Sequence, residues 1–301
     1  MALPRDRRVL VAFAGVVLLG GTNVVLVVVT TRELDPFWSA ALRFGSAALL
    51  ASLAALALGL TVPRGRVLAV SVIYGMLTFF AGFALFYWGT KQVPAGIASV
   101  ILGSVPLLTF FLAVAQRIER FRVRGLVGAV LAIVGIGLIS ARPPAGSLPI
   151  LPLLAVIGAA AGAAQGSIVV RRIPGTHPLV TNAVGMAAGA ALLVVTSLLA
   201  GESHALPVSS SVWAALLVMV ATSPLLFVLF VFVIQRWSVT AASYQLVLFP
   251  LVSIVLAAIL LDEPISASIL VGAPLVLLGV YVGALAPDRR RSEEPAGAPA
   301  V

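Results

Sequence analysis

The chain has 301 residues, of which 61% are hydrophobic and 10% charged, and its mean hydropathy is +1.17. Soluble domains carry about 25% charged residues, so a soluble fold of this length is excluded and a multi-pass membrane protein fits. The formal charge of +9 comes from arginines in short clusters between apolar runs, which is the pattern of a membrane protein and not of a nucleic-acid binder. There is no cysteine and only His177 and His204, which leaves no disulfide framework, no thiolate chemistry and no metal-ligand cluster.

A transmembrane helix needs about 20 mostly apolar residues. That rule predicts ten spans, at 9–30, 36–60, 67–88, 94–116, 123–141, 148–170, 177–200, 212–234, 239–261 and 265–285. The first apolar run is too long for a signal peptide, and no small-residue cleavage site follows it, so it is read as a retained span. Pro36, Pro94, Pro178 and Pro264 fall at the first turn of a span, where proline is tolerated. Residues 286–301 are charged and rich in Pro, Ala and Gly and read as a disordered tail.

The chain repeats itself. Shifted by 144 positions, 227–281 falls on 83–137 without a gap and 17 of 55 pairs are identical, about three times the chance level at this composition. The matches include Phe83/Phe227, Ser99/Ser243, Pro106/Pro250 and Glu119/Glu263, and an offset of 142 upstream pairs Asp35-Pro36 with His177-Pro178, Gly20 with Gly162 and Asn23 with Gln165. With the N-terminus in the cytoplasm, the inner segments hold 15 basic residues and the outer loops only Arg32, Lys91 and Arg142, so both termini are expected inside. Five spans per half is odd, so the second half (148–285) enters the membrane inverted relative to the first (9–141). Inverted repeats place substrate sites near the midplane of secondary transporters. Gly158, Gly162 and Gly166, with Gly185/Gly189 and Gly279/Gly283, form small-residue ridges; they serve packing inside the bundle or, alternatively, a homodimer face.

The stretches LLGGTNVVLVVV and LDPFWSAALRF, then ALFYWGTKQVPAGIASVILGSVPLLTFFLA with Glu119 and GLVGAVLAIVGIGLI, and in the second half VTAASYQLVLFPLVSIVLAAILLDEPI with VGAPLVLLGVYV, resemble EamA-type members of the drug/metabolite transporter superfamily. The resemblance covers about residues 9–285 and both repeats separately. It implies a ten-helix carrier exporting amino acids, other metabolites or toxic compounds, with a cavity lined by spans 1, 3, 4, 6, 8 and 9. The family pattern commonly has Trp where this chain has Gly20 or Gly21.

Polar residues inside spans are costly in hydrocarbon and default to functional or packing roles. On the implied lining spans these are Asn23, Tyr74, Thr78, Ser99, Gln165, Ser223, Ser243 and Tyr244, the expected substrate contacts. The competing reading is that the hydroxyls bond their own helix carbonyls and that the amides bond between helices. Pro106 and Pro250 lie mid-span and are expected to kink their helices as hinges or as static bends. Phe83, Phe86, Phe227 and Phe230 are the expected cavity walls. Arg43 is the one ionisable residue well inside a span; it either snorkels outward or caps a neighbour's carbonyls, or it contacts an anionic substrate group. Glu119 and Glu263 end helices at the interface and read as structural. No carboxylate lies within a hydrocarbon stretch, so a midplane proton relay is not expected.

The sequence therefore predicts an all-α membrane protein of two inverted five-helix repeats in a bacterial-type inner membrane. It is expected to be a secondary exporter of a small metabolite, amino acid or drug-like compound, not an enzyme. Its expected partners are a small molecule and the bilayer, with no nucleic acid and no cofactor. The alternatives are a flippase-like carrier of a lipid-linked or amphiphilic molecule, an intramembrane lipid-modifying enzyme, which would need acids or histidines clustered near one membrane face, and a non-transporting scaffold.

Overall fold

The computed structural model describes residues 6–90, 92–93, 101–139, 149–173, 175–260 and 267–285. Ser99, Pro94, Glu263, Pro264 and the 286–301 tail lie outside them. The described residues form ten helices and the turns between them. These are α1 (Arg7–Thr30), α2 (Pro36–Ala57), α3, α4 (Val105–Ala115), α5 (Val123–Ile139), α6 (Ile150–Arg171), α7 (Pro178–Leu199), α8 (Ser210–Arg236), α9 (Val239–Leu260) and α10 (Ala267–Val280, prolonged by π-helical Tyr281–Leu285). Helix α3 runs as Gly65–Gly75, a π-helical stretch Met76–Gly82, and Phe83–Thr90. Seven of the ten, α1, α2, α3 and α6 to α9, are long and apolar enough to cross a membrane; α4, α5 and α10 are shorter apolar helices. Large apolar side chains such as Val11, Leu49, Leu56, Leu199 and Leu270 stand exposed on the outer faces, the distribution expected where lipid is the solvent.

Local chemistry sets the helix ends. The Arg8 N–H donates to the Asp6 side chain, which caps α1. Pro36 and Pro178 occupy the first turns of α2 and α7. At the far ends, the Gly59 (φ +65°) and Gly201 (φ +67°) positions, equivalent in the repeat, adopt the left-handed conformation. There the Leu60 N–H donates to the Ala55 carbonyl at 2.9 Å and the Glu202 N–H to Ser197 at 3.1 Å, the Schellman closure that glycine favours. Arg117 (φ 57°) closes α4 in the same way without glycine.

Most helix contacts cross between the halves. α2 packs on α7, α5 on α10 and α4 on α9, each pair being repeat equivalents of one another. α1 packs on α8 and α9, as α6 packs on α3 and α4, and α3 meets α7 as α8 meets α2. Exchanging the halves thus maps these pairings onto themselves, while α6–α8, α6–α9 and α5–α9 are further contacts. The glycine ridges are used inside this framework. A Cβ on Gly162 would come within 3.1 Å of the Leu77 carbonyl of α3, one on Gly189 would lie 2.5 Å from Phe79 Cβ, and one on Gly279 would lie 2.6 Å from the Ala132 nitrogen of α5. These stripes are therefore taken up by neighbouring helices of the same chain and are not free to form a dimer face.

Candidate functional site

Two ends of the bundle carry different chemistry. At one end the α1–α2 turn meets the α7–α8 loop through three carboxylates. Glu202 accepts from the Phe37 and Trp38 N–H groups at 3.1 and 2.8 Å, capping the start of α2 from the other half. Asp35 accepts from the Ser203 N–H at 2.9 Å, and Glu33 from Val208 and Ser209 at 2.9 and 3.2 Å. Bonding from the Ser209 side chain, and from the Val208 and Ser209 N–H groups, holds the Glu33 carboxyl below the usual carboxylate value. Trp38 Nε1 donates to the Ala205 carbonyl at 2.9 Å, with its ring edge-on to His204.

At the other end Arg171 donates to the Ile234 and Gln235 carbonyls that finish α8. Glu119 accepts from the Thr240 N–H at 3.1 Å, at the start of α9, so its structural role is as expected. Glu119, Arg171, Arg236 and Trp237 line a cleft of about 300 Å³ between these elements, and a second cleft beside it is lined by Arg171, Thr176 and Arg236.

Between the ends lies a cage of aromatic rings. Phe44 of α2 is 5.1 Å from Phe79, 4.7 Å from Phe83 and 6.2 Å from Phe227; Phe79 is 4.6 Å from Phe227, and Phe230 flanks Phe227. Of the expected walls, Phe83, Phe227 and Phe230 belong to it. Phe86 instead packs beside Val93 and Val156. The π-helical stretch of α3 brings Phe79 into the cage and, one residue earlier, turns Thr78 towards Gly166 of α6.

Arg43 enters this cage. It does not snorkel: it is 2% exposed, because the face of α2 that carries it is covered by α3, α7 and α8. Its Nε donates to Ser223 Oγ at 3.0 Å, its guanidinium lies 4.8 Å from the Phe44 ring centroid and 5.7 Å from that of Phe83, and Tyr87 hydrogen-bonds to it. Ser223 is held in turn by its own bond to the Met219 carbonyl at 2.6 Å, just before Pro224 interrupts the α8 ladder. A buried charge without a counter-charge costs several kcal/mol, and a cation over a desolvated ring recovers roughly 2 kcal/mol. The rings and hydroxyls therefore offset this burial only in part.

The other expected site residues are dispersed. Asn23 donates to the Leu19 carbonyl at 2.7 Å and to Thr222 of α8 at 3.4 Å, beside Ser223, while its Oδ1 has no partner. Its repeat partner Gln165 accepts from Gln116, just past the end of α4, at 2.8 Å. Tyr74 reaches the edge of the cage through Phe79 but commits its hydroxyl to Asn182 at 3.2 Å. Ser243 bonds its own helix at Thr240, and Tyr244 bonds the Gly125 carbonyl of α5; both stand apart from the cage. The two prolines differ. Helix α9 runs through Pro250, whereas Pro106 opens α4 directly after a break at Ser104. At Gly20, where the family pattern commonly has Trp, the Phe249 ring of α9 from the opposite half lies against the glycine. Phe44, Phe79 and Tyr87 escaped the sequence reading; the one signal available was the spacing of Tyr87 four residues after Phe83, on the same helix face.

The EamA-like transporter family matches residues 7–141 and again 150–284. A probable amino-acid metabolite efflux pump of Salmonella typhimurium is 27% identical over 94% of this chain and 96% of its own length. A protein of the same description from Escherichia coli K12 is 28% identical over 89% and 91%. A probable terminal-alkyne amino-acid exporter of Streptantibioticus cattleyicolor is 29% identical over 80% and 81%. One solved crystal structure superposes with a TM-score of 0.79 at 24% identity, over 94% of this chain and 98% of the other; that likeness speaks to the fold.

Proposed function

Because the chain belongs to the EamA-like transporter family and is a multi-pass membrane transporter, not an enzyme, we propose that it is a secondary exporter of a small metabolite or amino acid. It works by alternating access around the Arg43 cage. Residues 9–141 and 148–285 are its two inverted halves, and both termini face the cytoplasm of a bacterial-type inner membrane. The observation that carries this reading is the exchange symmetry of the helix pairings, in which the cage lies where α2, α3 and α8 meet across the halves. Inversion is supported by the helix ends: α1 finishes beside the 200–209 loop, whereas α6 finishes beside the end of α8. The basic residues at that second end make it the cytoplasmic one. Export is supported by the names of the relatives.

The test compares metabolites in the medium of cells with and without the protein. The expected result is an excess of a small set of compounds outside the expressing cells. An unchanged medium alongside folded, membrane-inserted protein would overturn the export reading.

A further inference from the structure

We propose that Arg43 is the receptor for the single anionic group of the exported compound, a carboxylate on an apolar body that the surrounding rings hold. This rests on the exporter reading and gives that site its substrate class. The described partners of Arg43 are Ser223, Tyr87 and the rings of Phe44 and Phe83. All are neutral, and no carboxylate among the described residues reaches the guanidinium. A guanidinium carries more N–H donors than Ser223 and Tyr87 use, and their planar fork matches a carboxylate edge. A charged residue held in hydrocarbon without a counter-charge marks a place where one arrives during function.

The repeat breaks at this place. Under the offsets of 142 and 144, the positions equivalent to Arg43, Ser223 and Tyr87 are Gly185, Phe79 and Val231. The second half thus builds an apolar copy of the site, in which a Cβ on Gly185 would already touch Phe79 and Tyr74 at 3.2 Å. The molecule presents one buried cation and no symmetric pair of them. One cation within a wall of phenylalanines takes a monoanion; a second negative charge would stand uncompensated among the rings. The cage contains no acid among the described residues, so an ammonium on the same compound meets only ring faces and hydroxyls. The carboxylate is therefore the group selected. Apolar amino acids and their deaminated acids both qualify, and amines without an acid group do not.

The experiment profiles the medium for the wild type, Arg43→Gln and Arg43→Lys at matched membrane levels. Compounds exported by the wild type should carry a carboxylate. Arg43→Gln should lower their excess about ten-fold or more, the equivalent of one charge-assisted hydrogen bond. Arg43→Lys keeps the charge but loses the fork, so it should raise the half-saturating concentration while preserving the maximal rate. Exported compounds lacking an acid group, or Arg43→Gln exporting within two-fold of wild type, would overturn the assignment and leave the exporter reading standing. If Arg43→Gln does not reach the membrane, Arg43→Lys decides: a fall in maximal rate with unchanged half-saturation would mark a structural role and overturn the proposal. No wild-type excess at all would overturn the exporter reading, and the assignment with it.

Discussion

Asn23 and Gln165 occupy equivalent positions in the two halves, yet they are bonded differently. Asn23 already leaves Oδ1 without a partner, whereas Gln165 is the acceptor for Gln116 Nε2. Asn23→Leu should therefore leave the unfolding temperature in detergent unchanged or higher. Gln165→Leu strands a donor and should cost about 1 kcal/mol. Both should reduce export, since each removes a polar group next to the Thr222 or Thr78 turn that borders the cage. Equal destabilisation of the two variants, or wild-type export by both, would contradict this assignment. Polar residues paired by the repeat could be read from the sequence because each half reports on the other. The course of Arg43 could not: its position along α2 fixes depth, about 10 Å from Pro36 at 1.5 Å per residue, but only the packing of α3, α7 and α8 decides that its face looks inward. Phe83, Phe227 and Phe230 repeat and lie in the ring cluster, but Phe86 repeats with Phe230 and lies outside it, so the repeat alone did not decide which rings meet. Phe44 and Phe79 were not legible, because their repeat equivalents, Met186 and Ser223, are not aromatic.

Contacts at the helix ends tie the two halves together. Glu202 is placed by the Gly201 turn so that its carboxylate meets the free N–H groups at the start of α2, where an anion is favoured. Glu33 and Asp35 return the contact from the first half to the second. Bonding from the Ser209 side chain and from the Val208 and Ser209 N–H groups holds the Glu33 carboxyl below its ordinary value. Its contribution is therefore complete above the ordinary carboxylate value and is lost only as the pH falls through the lowered one. Trp38, bonded to Ala205 and edge-on to His204, reports on this contact. In a variant keeping Trp38 as the sole tryptophan, with Trp88, Trp213 and Trp237 changed to Phe, emission should respond to Glu33 on the acid side of the ordinary carboxylate range. Adding Glu33→Gln should remove that low-pH transition. A Glu33-dependent transition between about pH 5 and 7 would show that the contact does not hold its carboxylate as described. Span positions and the first-turn prolines Pro36 and Pro178 were readable from hydropathy and φ preference. The π-helical stretch Met76–Gly82 was not, because it answers to the glycine surfaces of α6 and α7 rather than to its own residues.

At the scale of the whole molecule, the two ends are laced by different groups: carboxylates onto backbone N–H groups at one, Arg171 onto carbonyls and Glu119 onto an N–H at the other. The cage sits between them, with Arg236 about 20 Å from Ser223 along α8. In this conformation the rings pack on one another and the carboxylate end is tied across the halves; on the proposed export reading, that end would have to part for release. The chain contains no cysteine, which allows a clean test. Asp35 and Ser203 are joined at 2.9 Å across the halves, and Asp35→Cys with Ser203→Cys replaces that contact by a reducible bond. The measurement is export from cells carrying the double variant, before and after oxidation, and again after reduction. Alternating access through the carboxylate end predicts that export stops on oxidation and returns on reduction, while each single variant is indifferent to both treatments. Export continuing at the unoxidised rate in fully cross-linked protein would contradict the account.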